Sequence, residues 1–138
     1  MNLPKKFDIQ FNTPIEKLRY TTAADWTIKK DVLTIWMCAT KDWRYQAIVF
    51  MHEITEIFWC IKNGVTAKRA DAFDSLWEKE LEKGIHRPEE EAGFDKRCPY
   101  RGGHIWGARM EHLFCWILGV KWRVYCDYWD DFFKKIKP

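Results

Sequence analysis

The sequence predicts an α+β fold: a small N-terminal antiparallel β-hairpin or sheet followed by about four packed α-helices. Three observations carry that prediction. Short β-branched and aromatic runs occupy the first forty residues. From Asp42 onward the apolar residues recur at helical spacing instead. Helix stop signals then recur at Asn63-Gly64, Gly84 and Gly119. A length of 138 residues suits a single domain, 1–138, with one core. Hydrophobic residues make up 47%, including nine Trp and nine Phe, which supplies that core and excludes a disordered chain.

The elements follow in order. Trp26–Lys29 and Val32–Cys38 read as two strands joined by a Lys30-Asp31 turn. "EKLRYTT", from Glu16 to Thr22, is a candidate edge strand, and Pro4 and Pro14 keep the extreme N-terminus irregular. Asp42 is a natural N-cap for a helix running to about Lys62, which "NG" then stops. A second helix is expected from Thr66 to Gly84, with Phe73, Leu76, Trp77 and Leu81 as its apolar stripe. "HRPEEEAGFDKRCPYRGG", from His86 to Gly103, reads as a long polar connection, and a loop of that length in a small domain is often functional. A third helix should run from His104 to about Leu118. The last, Trp122 to about Lys134, places Tyr125, Tyr128, Trp129 and Phe132 on one side.

Charge and composition narrow the function. The net charge of +3 offers no basic field for a nucleic-acid partner. "KWRVYCDYW" mixes basic and aromatic residues, but its helical stripe makes core packing the favoured reading over single-strand binding. No run approaches the roughly 20 apolar residues of a membrane span, and "MNLPKKFDIQF" has no leader-like apolar stretch. Five cysteines, an odd number without a CxxC pair, read as buried free thiols in a reducing compartment, hence a cytoplasmic protein.

The chemistry is concentrated in "AIVFMHEITEIFWCI", Ala47 to Ile61, where His52, Glu53 and Glu56 interrupt an apolar helix. Unpaired buried charges cost several kcal/mol, so such groups must be paired, neutralised or bound. His52 and Glu56 are four apart and project from one face, the spacing that lets two ligands meet one ion. Glu53 takes the general-base position of an HExxH helix, here written HExxE. The added carboxylate widens the expected divalent ion to Zn, Mn, Fe or Mg. The third helix repeats the pattern with His104, Ala108 and Glu111 on one face, His104 and Glu111 being about 10.5 Å apart along the axis. Ala108 is small enough to leave room for an ion between them, and His112 points away. Facing helices would bring His52, Glu56, His104 and Glu111 to one ion or two. The competing reading for each helix alone is a hydrogen-bonded core or a helix-pairing salt bridge.

Asp71 suits the dipole at the start of the second helix, and Asp74 is open to either a structural or a ligand role. In "PYRGGH", Gly102 and Gly103 beside Arg101 can be read as an anion site at a helix N-terminus, or as a tight turn with Gly103 as N-cap. No Walker loop, GxGxxG or GxSxG is present, and a Cys98–His104 dyad has nothing beside it to acidify the thiol.

"DWRYQAIVFMHEITEIFWCIKNG", then "DAFD", then "PYRGGH" with a later Glu, resembles a family of small uncharacterised bacteriophage and prophage proteins. The resemblance covers about Asp42 to Gly119. It implies a phage setting, hence a host cytoplasm, and the site residues His52, Glu53, Glu56, Asp71, Asp74, His104 and Glu111. It carries no activity. The reading is therefore a metal-dependent hydrolase of a small anionic substrate such as a nucleotide or phosphate ester. In it His52, Glu56, His104 and Glu111 hold the ion, Glu53 activates water and Arg101 meets the substrate's charge. The alternative is a non-enzymatic phage binding protein whose His/Glu cluster is a structural metal site or a buried polar network.

Overall fold

The computed structural model describes residues 2–137. Three strands, β1 (Lys6–Thr13), β2 (Ala24–Lys29) and β3 (Val32–Cys38), precede four helices: α1 (Trp43–Asn63), α2 (Ala67–Glu82), α3 (Arg101–Ile117) and α4 (Trp122–Ile136). The architecture is α+β. β2 and β3 pair antiparallel, with Lys29 opposite Val32. Lys30 and Asp31 both take positive φ, 50° and 61°, the backbone that a two-residue hairpin turn of matching twist demands. Leu33, Ile35 and Met37 alternate along β3 with no exposure at all, so one face of the central strand forms the floor of the core.

Two features of this half depart from expectation. The third strand comes from Lys6–Thr13, not from Glu16–Thr22, and it joins β3 in parallel, giving sheet order β1-β3-β2. Phe7, Ile9 and Phe11 alternate with polar residues, and Phe7 and Phe11 reach Phe58 and Phe50 of α1, with ring centroids 6.2 Å apart in each pair. The "EKLRYTT" segment forms a single 3-10 turn, Ile15–Lys17, followed by bends. Arg19 there folds onto Asp25 and Asp71, which removes the extended backbone an edge strand needs.

Side-chain caps start the first two helices. The Asp42 carboxylate accepts from Arg44 N at 3.0 Å, and Gly64 at φ 68° closes α1 by donating to Cys60 and Ile61. Thr66 caps α2. Of the stripe expected on α2, Phe73, Trp77 and Leu81 are buried with Ala70, whereas Leu76 is exposed. On α4 Tyr125 and Trp129 are buried.

α3 starts three residues earlier than its apolar pattern suggested, so Gly102 and Gly103 lie within its first turn rather than ahead of it. A Cβ on Gly102 would sit 2.4 Å from the Trp59 ring, and one on Gly103 would sit 3.2 Å from Glu56 O. These glycines let α3 press directly against α1, the largest helix pairing in the molecule. That contact sets the two histidine-bearing faces against each other.

A buried two-histidine, one-glutamate cluster

His52 and Glu56 face α3 from α1, and His104 faces them from α3. His52 and Glu56 side chains are each 6% exposed and that of His104 12%. His52 Nε2 lies 3.0 Å from His104 Nδ1 and 3.3 Å from Glu56 Oε2, and the third edge, His104 Nδ1 to Glu56 Oε2, is 3.1 Å. A tetrahedral ion with ligands at about 2.0–2.1 Å has ligand–ligand edges of about 3.3–3.4 Å, so the triangle is close to that size. The group could hold a metal ion.

Each ring is oriented from behind. Glu111 Oε1 bonds His52 Nδ1, and Glu91 Oε2 lies 2.8 Å from His104 Nε2. A carboxylate accepts there, so the proton of each neutral ring sits on the outer nitrogen and a lone pair is left on the inner one. Two imidazole lone pairs and a carboxylate oxygen then converge on one point. Such an arrangement is repulsive unless positive charge sits among them. In the protein alone that charge is protons: burial opposes it, but the hydrogen bonds His52 donates to Glu111 and Glu56 lift it well above its usual range. Burial likewise opposes protonation of His104, yet Glu56 and Glu91 push it up to about 9. Burial raises Glu56, but the two imidazoles outweigh it and hold the carboxyl down at about 2.

Glu111 therefore stands on the opposite side of the His52 ring from Glu56 and His104, as an orienting group and not as a fourth member of the triangle. Glu111 lies on the face that the helical spacing predicts, but it meets the outer nitrogen of His52 because the His52 ring itself fills the gap between His104 and Glu111. Tyr125, from α4, donates to the other oxygen of Glu111 at 2.5 Å. The small residue that admits the ring is Gly107, whose added Cβ would fall 2.9 Å from three His52 ring atoms, while Ala108 lines the cavity beside it. Gly93 plays the same part for His104, at 2.1 Å. Glu91, Gly93, Gly107 and Tyr125 carry no local sequence signal, since each acts only through tertiary contact.

The cluster opens into a cavity of about 280 Å³ between the helices and the segment before β2. Glu53 lines it without a hydrogen-bond partner among the described residues, and burial, aided by the Glu56 charge, pushes its carboxyl up to about 8. Asp74 lines it too, accepting from Tyr100 Oη at 2.5 Å, and burial pushes it up to about 7. Asp71, expected to complement the dipole at the start of α2, lies beyond its first turn and is held by Arg19 at 3.1 Å. Arg101 is exposed, donates from Nε to Phe94 O at 3.2 Å and is not part of the lining, so neither it nor the two glycines forms an anion site at the cluster. His112 stacks on Trp122 away from the triangle. Burial pushes the Cys98 thiol up to about 12, which removes it as a nucleophile beside His104. The cysteines are free. No helix among the described residues is long and apolar enough to cross a membrane.

Fold and site together define the class: an α+β protein whose two packed helices hold a buried His–Glu–His group able to take a metal ion. Comparison with family models, with curated proteins and with solved structures returns no match in any of the three.

Proposed function

We propose that the protein is a metal-dependent hydrolase in which His52 Nε2, His104 Nδ1 and Glu56 Oε2 hold one divalent cation and Glu53 is the general base. The observation that supports this best is the convergence of three electron-pair donors whose outer partners, Glu111 and Glu91, fix both imidazoles in the ligating tautomer. Three protein ligands from a His/Glu set are characteristic of catalytic zinc sites, which leave a position open. Two imidazoles among three donors favour Zn or Fe over Mg, with Mn between them. A bound ion of this kind supplies Lewis acidity and brings the pKa of water into the neutral range.

Glu53 follows the ligand His52 directly and faces the cavity unpaired; a divalent cation at the triangle would oppose the burial that raises its carboxyl and favour the carboxylate, which could then take a proton from water and return it to a leaving group. Glu111 and Tyr125 hold His52 in register, and Glu91 does the same for His104. The cavity admits a small substrate. A phage setting fits the motif order in "DWRY", "HEITE" and "DAFD", and the alternative role is a structural metal site in a binding protein.

Elemental analysis of the purified full chain separates these readings. The hydrolase reading requires near-stoichiometric metal that Glu56→Ala and His104→Ala each remove. It further requires that Glu53→Gln keep the ion and lose turnover on whichever member of a panel of phosphate esters, carboxylic esters and amides the wild type cleaves with Zn or Mn. An ion retained with no activity to lose at Glu53 identifies a structural site, and metal-free wild type ends the proposal.

A further inference from the structure

The cavity beside the cluster has a charge and a wall composition that point to the kind of molecule it takes. Among the described residues nine of its lining side chains are Asp or Glu, against one Lys and no Arg. Most of those carboxylates have partners: Arg19 holds Asp25 and Asp71, Thr21 donates to Glu78, and the two imidazoles engage Glu56, Glu91 and Glu111. The single lysine, Lys137, spends its ammonium on the carbonyls of Pro88 and Glu90 and on the face of Phe133. Among the described residues Glu53, Asp74, Glu78 and the exposed Asp130 are left with no cationic partner. Asp74 has only the Tyr100 hydroxyl, close enough to Glu56 for that charge to add to its own.

Around Asp74 the wall is aromatic. Tyr100 is 7% exposed and Trp77, one helical turn along α2 from Asp74, is also 7% exposed. Trp26 and Trp129 also line the cavity. A carboxylate beside aromatic rings in a partly enclosed cavity is the recognition chemistry of an organic ammonium: ion pairing to the carboxylate and attraction to the rings, both stronger than on an open surface. An anion entering the same space meets the remaining carboxylates, while the cations of the wall, the two imidazoles and Lys137, are already engaged by protein acceptors. The anionic substrate expected from sequence rested on Arg101 and the glycines of "PYRGG", which lie elsewhere.

We infer that the cavity binds a small molecule through an ammonium group seated on Asp74 against the aromatic wall formed with Trp77 and Tyr100. The inference rests on the hydrolase reading only for what happens next, namely that the scissile bond lies at the His52–Glu56–His104 face near Glu53. Substrates of that shape are small amides or esters carrying a free amine.

Titration of the full chain with benzylamine, benzyl alcohol and benzoate, followed by calorimetry and by tryptophan fluorescence, tests the binding alone. Benzylamine should bind about tenfold more tightly than the alcohol, and benzoate more weakly than either. The preference should persist after chelation of metal and vanish in Asp74→Asn, whose amide still accepts from Tyr100. Equal binding of the three probes, tighter binding of benzoate, or amine binding that requires metal each overturns the inference. So does loss of one equivalent of metal in Asp74→Asn, which would make the carboxylate a ligand of a second ion. Because the metal content of the wild type is measured separately, failure here leaves the hydrolase reading standing, and failure there leaves the ammonium preference standing.

Discussion

Replacing Gly107 by Ala places one methyl group where the His52 ring now lies. The built Cβ falls 2.9 Å from Cδ2, Cγ and Nδ1 of His52, whereas ordinary contact begins at 3.4 Å, so something must yield by about 0.5 Å (3.4 − 2.9). The ring cannot yield cheaply. Nδ1 is bonded to Glu111, itself fixed by Tyr125, and Nε2 faces Glu56 Oε2 at 3.3 Å and His104 Nδ1 at 3.0 Å. A shift of that size exceeds the roughly 0.2 Å tolerance of metal–ligand distances. The fold is affected less. Alanine gains about 1 kcal/mol over glycine in a helix interior, which offsets part of the roughly 1–3 kcal/mol that overpacking costs. Gly107→Ala should therefore melt within a few degrees of the wild type in the metal-free state, yet bind Zn about 10–100-fold more weakly in competition with a chelator. Wild-type affinity in a normally folded variant would refute the claim that His52 is held in a ligating position by this contact.

Three further outcomes follow from the same geometry. Tyr125→Phe removes the donor to Glu111 and leaves Tyr125's ring packing in place, so zinc affinity should fall by about tenfold with little change in fold, as chelator competition will read. Asp74 has its carboxyl raised from 3.8 to about 7, so its stability contribution is complete below pH 3.8 and is lost as pH rises through about 7. Asp74→Asn should accordingly melt higher than the wild type at pH 8 and converge with it near pH 4, with linkage setting an upper bound of about 4 kcal/mol. Asp42→Ala removes the side-chain acceptor at the start of α1 and should cost about 1 kcal/mol in urea unfolding, with metal binding unaffected once folded.

Much of this was legible in the chain because it is written locally. Asp42, Gly64 and Thr66 bound their helices through contacts within a few residues, and the Lys30-Asp31 hairpin joins strands only two residues apart. His52, Glu56 and His104 stood out because ionisable groups on apolar helical faces demand a partner. What was not legible depends on distance along the chain. β1 alternates Phe7, Ile9 and Phe11, but its parallel partner lies across an intervening strand, and Pro4 and Pro14 on either side favour irregular backbone by their own preferences. Gly102 and Gly103 suggest a loop by their own preferences. Contact with Trp59 and Glu56 overrides that preference and carries α3 back to Arg101. Glu111 was placed on the correct face, yet its role as orienting partner, like that of Glu91, exists only once the imidazole rings are positioned in space.

X-ray absorption at the metal edge of the zinc-loaded full chain reads the ligand set of the His52–Glu56–His104 triangle itself. Nitrogen and oxygen ligands at about 2.0–2.1 Å, multiple scattering from two imidazoles and no sulfur are the expected result. A sulfur shell near about 2.3 Å, a single imidazole, or a chain that retains no zinc at all would contradict it.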